Sequence, residues 1–190
     1  MSDPDGTPDT DILLSRAQAG EREAFCELAR QHEVRLYRQA FGLCRNQHLA
    51  EDLAQETLLE AWKSLARYNN ACRFSTWLYS ILLHRHQKSL RQRSRVLRLD
   101  DCAPPASAAD PAETAARSDE AEKLRADIEA LPEDAREVIR LRFFTGASLS
   151  EISIALGIPL GTAKSRLHHA LLRLREKIGI RSELAGPERG

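Results

Sequence analysis

Lys164, Ser165, Arg166, His168 and His169 fall within six residues, and their types suit contact with a polyanion. Long bases reach groove edges, while a hydroxyl beside helix-start amides holds a phosphate. Gly161, Thr162 and Ala163 precede them, small enough for close approach, with the Thr162 hydroxyl a further phosphate donor. Lys164 and His168 lie four apart, as do Ser165 and His169, so the two pairs project as neighbouring rows from one side of a helix. Arg173 is four residues beyond His169 and suits a phosphate better than a base. Adjacent His168 and His169 splay by roughly 100° and cannot easily share one metal. The competing reading is of solvated charges on a helix that packs against its neighbour.

A second group is acidic. Asp52, Gln55 and Glu56 stand at i, i+3 and i+4 and share one helix face, opposite Leu49 and Leu53. Between Ile81 and Arg98 the bases Arg85, Lys88, Arg91, Arg93, Arg95 and Arg98 have no acid among them. From Asp100 to Glu122, seven acids face Arg117 alone. Lys plus Arg and Asp plus Glu each number 28, so net charge names no partner. The distribution does, since two basic blocks separated by an acidic stretch read as two polyanion-binding surfaces on a string.

Chemistry of bond making is not indicated. There is no H-E-x-x-H, no Walker loop and no carboxylate cluster beyond the one helical face, so no enzyme, catalytic residue, metal, cofactor or small-molecule substrate is expected. Cys26, Cys44, Cys72 and Cys102 show no C-x-x-C spacing and read as reduced thiols. His84 and His86 read as polar surface positions rather than zinc ligands.

These residues need helices to hold them. The 190-residue chain is 42% apolar, 5% aromatic and 29% charged, enough to fill cores, and no apolar run approaches the roughly 18 residues of a membrane span. The acidic start lacks a signal or transit pattern, so a cytoplasmic location without membrane insertion is expected. Helical periodicity runs from Glu21 to Cys44 and from about His48 to Arg67. It resumes at Phe74, Trp77, Leu78, Ile81 and Leu82 and continues into the basic block. Pro132-Glu133-Asp134 opens a helix whose buried side is Val138, Ile139 and Phe143. Ser148 to Glu151 is a capping box, Gly157 marks a sharp, left-handed turn, and a longer helix with Leu160, Leu167, Leu171 and Leu174 follows. This is a helix-turn-helix. The expected class is all-α, two small helical domains joined by a flexible linker. A disordered tail spans 1–9, the domains 10–97 and 118–178, the acidic linker 98–117 and a C-terminal tail 179–190.

Three stretches resemble a known family, the extracytoplasmic-function (ECF) class of bacterial sigma factors in the sigma-70 family. Leu49–Thr57 (LAEDLAQET) with Ala61-Trp62 looks like its region 2 helix, and Phe74–Tyr79 (FSTWLY) running into a basic helix looks like its −10 reader. Leu131-Pro132-Glu133 through Gly157–His168 (GIPLGTAKSRLH) looks like region 4. The resemblance implies a transcription initiation factor that binds core RNA polymerase, recognises −35 and −10 promoter DNA and helps melt it, under control of an anti-sigma factor that can be membrane-bound. It implies that Asp52, Gln55 and Glu56 bind a basic coiled coil of the polymerase. Tyr68 and Trp77 would form a pocket for an unstacked −10 base, Asn70 would read a base edge, and His84, Lys88 and Arg91 would follow the backbone. Thr162, Lys164, Ser165, Arg166, His168, His169 and Arg173 would meet the −35 element.

Other readings stay open at this point. Tyr68 and Trp77 also fit as core residues, the acidic linker as a solvated tether, and residues 131–178 alone as an ordinary helix-turn-helix repressor or activator. Ser153 and Ala163 depart from the family's usual alanine and branched apolar residue, and His84 stands where Asn is frequent.

Overall fold

The structure, a computed structural model, describes residues 8–97 and 119–184. The remainder of the expected N-terminal tail, the expected linker and residues 185–190 lie outside them. Among the described residues the secondary structure is helical, with no strand. The chain divides into two compact units, at Pro111 and Ala112.

The first unit holds α1 (Pro8–Gln18), α2 (Arg22–Cys44), α3 (Gln47–Ser64) and α4 (Phe74–Leu97). Pro8 takes the first turn of α1, where proline's missing N–H costs nothing, so residues 8 and 9 are helix rather than tail. Gly20, just past the other end of α1, takes φ 96°, a conformation a Cβ disfavours. Arg16 Nε then donates to Glu21 Oε2 at 2.9 Å. This hydrogen bond holds the Glu21 carboxyl below its ordinary range. The buried stripe of α2 runs Phe25, Leu28, His32, Leu36 and Ala40, so a histidine fills a turn that the apolar pattern skips. Asn46 caps α3 by accepting from the Leu49 amide at 3.0 Å, a reliable start signal. Leu53, Thr57, Ala61 and Leu65 are the buried stripe of α3 and of the short 3₁₀ turn Leu65–Arg67 that follows it. The first three turns of α4 are buried on almost every side, including Phe74, Leu78, Tyr79, Leu82 and Leu83. The start of α4 is therefore its packed end, and Lys88 and Arg91 further along are exposed.

The second unit holds α5 (Asp119–Glu129), α6 (Glu133–Phe144), α7 (Leu149–Leu156) and α8 (Leu160–Leu184). Leu131, Ala135 and Ile139 pack with Ala170 and Leu174 of α8, flanked by Ile128 and Leu167. Glu129 ties α5 to α6 by accepting from Arg136 at 3.0 Å and from the buried Arg140.

Three expectations change here. Phe143 is 65% exposed: Leu141, three residues after Val138, continues the buried stripe, and Phe143 lies past its edge in the last turn. Leu160 and Leu171 are 43% and 44% exposed, while Ala163 and Ala170 are fully buried. Small alanines let α8 approach its neighbours closely, which leucines there would prevent. α8 also continues to Leu184, into the segment expected as a tail from 179.

Candidate nucleic-acid interface

The helix-turn-helix is fixed at three points. The Ser148 side chain accepts from the Glu151 amide at 3.2 Å while Glu151 accepts from the Ser148 amide at 2.8 Å, the two halves of a capping box. Gly157 follows at φ 63°. Beyond its chain neighbours no atom lies within 4 Å of where its Cβ would stand, so the turn needs glycine for its backbone conformation and not for space. The Ser153 hydroxyl then donates to the Ile158 carbonyl at 2.6 Å, across the turn. Sequence reading treats Ser153 only as a departure from alanine; here its hydroxyl fastens α7 to the turn.

From this support α8 presents Lys164, Ser165, His168 and His169, all exposed. The two imidazoles lie 5.7 Å apart, tilted edge to face. Thr162 is half-buried, and its carbonyl accepts from the Ser165 hydroxyl at 3.0 Å. Arg173 is exposed about two turns further on. Arg166 differs: it is half-buried, with Nε 3.3 Å from Asp134 Oδ2 of α6.

In the first unit a loop joins the 3₁₀ turn to α4. Tyr68 is only 7% exposed and lies beneath that loop, its hydroxyl donating to the Cys72 carbonyl at 2.5 Å. Its ring is 4.9 Å from Trp77 and 5.7 Å from Phe74, so no base fits between Tyr68 and Trp77. Gln18 of α1 donates to the Tyr68 carbonyl at 2.6 Å and the Leu65 carbonyl at 3.3 Å, a loop support invisible at a separation of 50 residues. Asn69 accepts from the Ala71 amide at 3.2 Å. Asn70 sits exposed at φ 59°, in the left-handed region that Asn tolerates better than most residues.

Half-buried Trp77 begins a row on α4. His84, Lys88 and Arg91 follow at i+7, i+11 and i+14 and are exposed, which at 3.6 residues per turn places all four on one face over about 21 Å. The acidic group lies on α3. Asp52, Gln55 and Glu56 are exposed, but Glu56 accepts from Arg85 of α4 at 2.7 Å, so one of its charges is already matched. Asp52 and Glu56 edge a groove of about 210 Å³ floored by Leu43, Leu49 and Leu53 and walled by His86 and Leu90; each acid stands three residues after a leucine, so the two flank the Leu49 and Leu53 stripe rather than lying opposite it as expected, and Gln55 does not reach the groove. Among the described residues, no cluster of His, Cys, Asp or Glu has the arrangement to hold a metal, and no helix is long and apolar enough to cross a membrane.

Comparison with known proteins gives two domain matches. Residues 28–96 match the model described as Sigma-70 region 2, and residues 128–176 the one described as Sigma-70, region 4. The chain is 35% identical over 160 residues to the ECF RNA polymerase sigma factor SigE of Mycolicibacterium smegmatis, covering 82% of this chain and 62% of that longer protein. It is 34% identical over 175 residues to the ECF RNA polymerase sigma factor SigL of Mycobacterium tuberculosis, covering 88% and 97%. Among solved structures, the sigma factor RpoE of Bartonella quintana, crystallised with the anti-sigma factor NepR, is similar in fold. Its TM-score is 0.59 at 24% identity, over 90% of this chain and 95% of that one.

Proposed function

Because the chain belongs to the ECF RNA polymerase sigma factors, transcription initiation factors rather than catalysts, we propose that it binds core polymerase, reads −10 and −35 promoter elements with separate units and promotes melting. One observation carries this reading. Each unit turns an exposed row of bases and polar groups outward on one helix face, His84, Lys88 and Arg91 on α4 and Lys164, Ser165, His168 and His169 on α8. Residues 10–97 are the −10 and polymerase unit, and residues 118–178 the −35 unit.

Asp52, Gln55 and Glu56 bind a basic helical surface of the polymerase, the groove beside Asp52 and Glu56 accepting its apolar residues. Asn70 meets the edge of a displaced base, and Trp77 offers it a ring to stack on, worth roughly 1–3 kcal/mol per base. Tyr68 acts from below by holding the loop. His84, Lys88 and Arg91 track the strand, which favours the melted state because single-stranded backbone follows the row. In the second unit Lys164, Ser165, His168 and His169 enter the major groove, while Thr162 and Arg173 meet phosphates. An anti-sigma factor, the class of partner with which RpoE was crystallised, covers these surfaces until transcription is needed, and the protein acts in the cytoplasm.

The test is transcription from a randomised promoter library with purified core polymerase. Initiation that depends on this chain and selects sequence at both elements is the expected result. Selection confined to one duplex element, with no dependence on core polymerase, would overturn it.

A further inference from the structure

Arg166 belongs to the recognition helix by sequence but not to its exposed row. At about 100° per residue it leaves α8 roughly 130° around from the midline of Lys164, Ser165, His168 and His169. Its guanidinium instead faces α6, Nε lying 3.3 Å from Asp134 Oδ2, with the two side chains 28% and 53% exposed. Asp134 stands in the first turn of α6, and its other oxygen accepts from the Ala135 amide at 2.9 Å. Both carboxylate oxygens are therefore engaged. Ala135 in turn belongs to the core that α8 packs on through Ala170 and Leu174. The ion pair thus joins the start of α6 to the opening turns of α8, on the side away from the reading face.

We propose that Asp134 is a positioning residue for promoter recognition: it holds Arg166, and the pair braces α8 at the angle that delivers its reading row to the groove. This rests on the −35 reading above. Arg166 supplies geometry and no base contact. The proposal makes a sign prediction against simple electrostatics. An acid near a DNA-binding face repels phosphate, so neutralising it should tighten binding; a brace predicts that the same change weakens binding.

The experiment uses the full chain assembled with core polymerase, on promoter duplexes carrying the selected −35 sequence or single mismatches. Asp134→Asn is nearly isosteric, and Arg166→Gln keeps much of the stem. Each is expected to weaken binding about two- to five-fold, the range of a partly exposed ion pair, by the same factor on matched and mismatched duplexes. The loss should lie in faster dissociation, with the active fraction and the salt slope as in the wild type, and the double variant should be no weaker than either single one. A purely structural role would instead lower the active fraction and leave dissociation unchanged. Binding by Asp134→Asn equal to or tighter than wild type overturns the brace. So does altered base preference in Arg166→Gln, or a salt slope lower by about one unit, which would mark a direct phosphate contact. A wild-type complex that ignores the −35 sequence overturns the function reading and the brace together, whereas an unaffected Asp134→Asn on a discriminating wild type overturns the brace alone.

Discussion

Lys164 and Arg173 are both exposed bases on α8, yet truncating them should have different consequences. Lys164 lies in the opening turns, the part of α8 proposed to read base edges, and a base contact is worth about 1–3 kcal/mol of discrimination. Lys164→Ala should therefore flatten preference within the −35 element. Arg173→Ala should weaken every sequence alike and lower the salt slope by about one unit. Affinities of the two variants on matched and mismatched duplexes across a salt series distinguish the cases, and equal losses on every duplex for Lys164→Ala would refute base reading. The supporting residues predict stability effects instead. Ser148→Ala removes an N-cap acceptor and should cost about 1 kcal/mol. Gly157→Ala should cost about 1–2 kcal/mol, because φ 63° is unfavourable for a residue with a Cβ even where space is open. Denaturant unfolding followed by helicity measures both.

At the scale of helices, α4 occupies part of the acidic group that α3 carries. Glu56 is engaged by Arg85, so the clean probe of polymerase binding is Asp52→Arg with Gln55→Arg, which leaves that link intact. The double variant should fold normally and fail to co-purify with core polymerase; unchanged recovery would remove this face from the interface. Gln18 of α1 supports the base of the Asn loop, its amide holding the Leu65 and Tyr68 carbonyls that precede it. Gln18→Ala should loosen the loop and broaden the −10 preference of a promoter library, with −35 preference unchanged. The same elements explain what could be read in advance. The Ser148 capping box, the left-handed Gly157 turn and the α2 and α3 stripes were legible because each depends on residues within a few positions of one another. Phe143 was misplaced because periodicity gives a face but not how far along the helix that face stays covered. The α8 stripe was misassigned to Leu160 and Leu171 because hydropathy rewards large residues, whereas close helix packing selected Ala163 and Ala170. Gln18, the Glu56–Arg85 link and the Asp134–Arg166 pair join residues 29 to 50 apart in sequence, and no local pattern encodes such pairings.

Across the whole molecule, 28 bases and 28 acids cancel, so any attraction to DNA comes from where the charges lie. Charges separated by more than about 10 Å are largely screened at moderate salt, so each charged row attracts mainly the phosphates nearest to it. A nominally neutral chain should therefore still show a salt dependence that its charged rows control. Replacing Lys88 and Arg91 by Ala should reduce the slope of log affinity against log salt for promoter complexes by about 1.4–1.8, the value for two lost contacts on single-stranded or duplex backbone. A slope equal to wild type would show that the α4 row does not touch phosphate. The Ser153 hydroxyl, by tying the turn to the Ile158 carbonyl, has a consequence for time rather than affinity. A reading helix already set at its angle has no ordering step to complete after it meets DNA, so association is governed by diffusion and orientation. On the melting role proposed above, the interval between encounter and a committed promoter complex then belongs to strand opening at the other element.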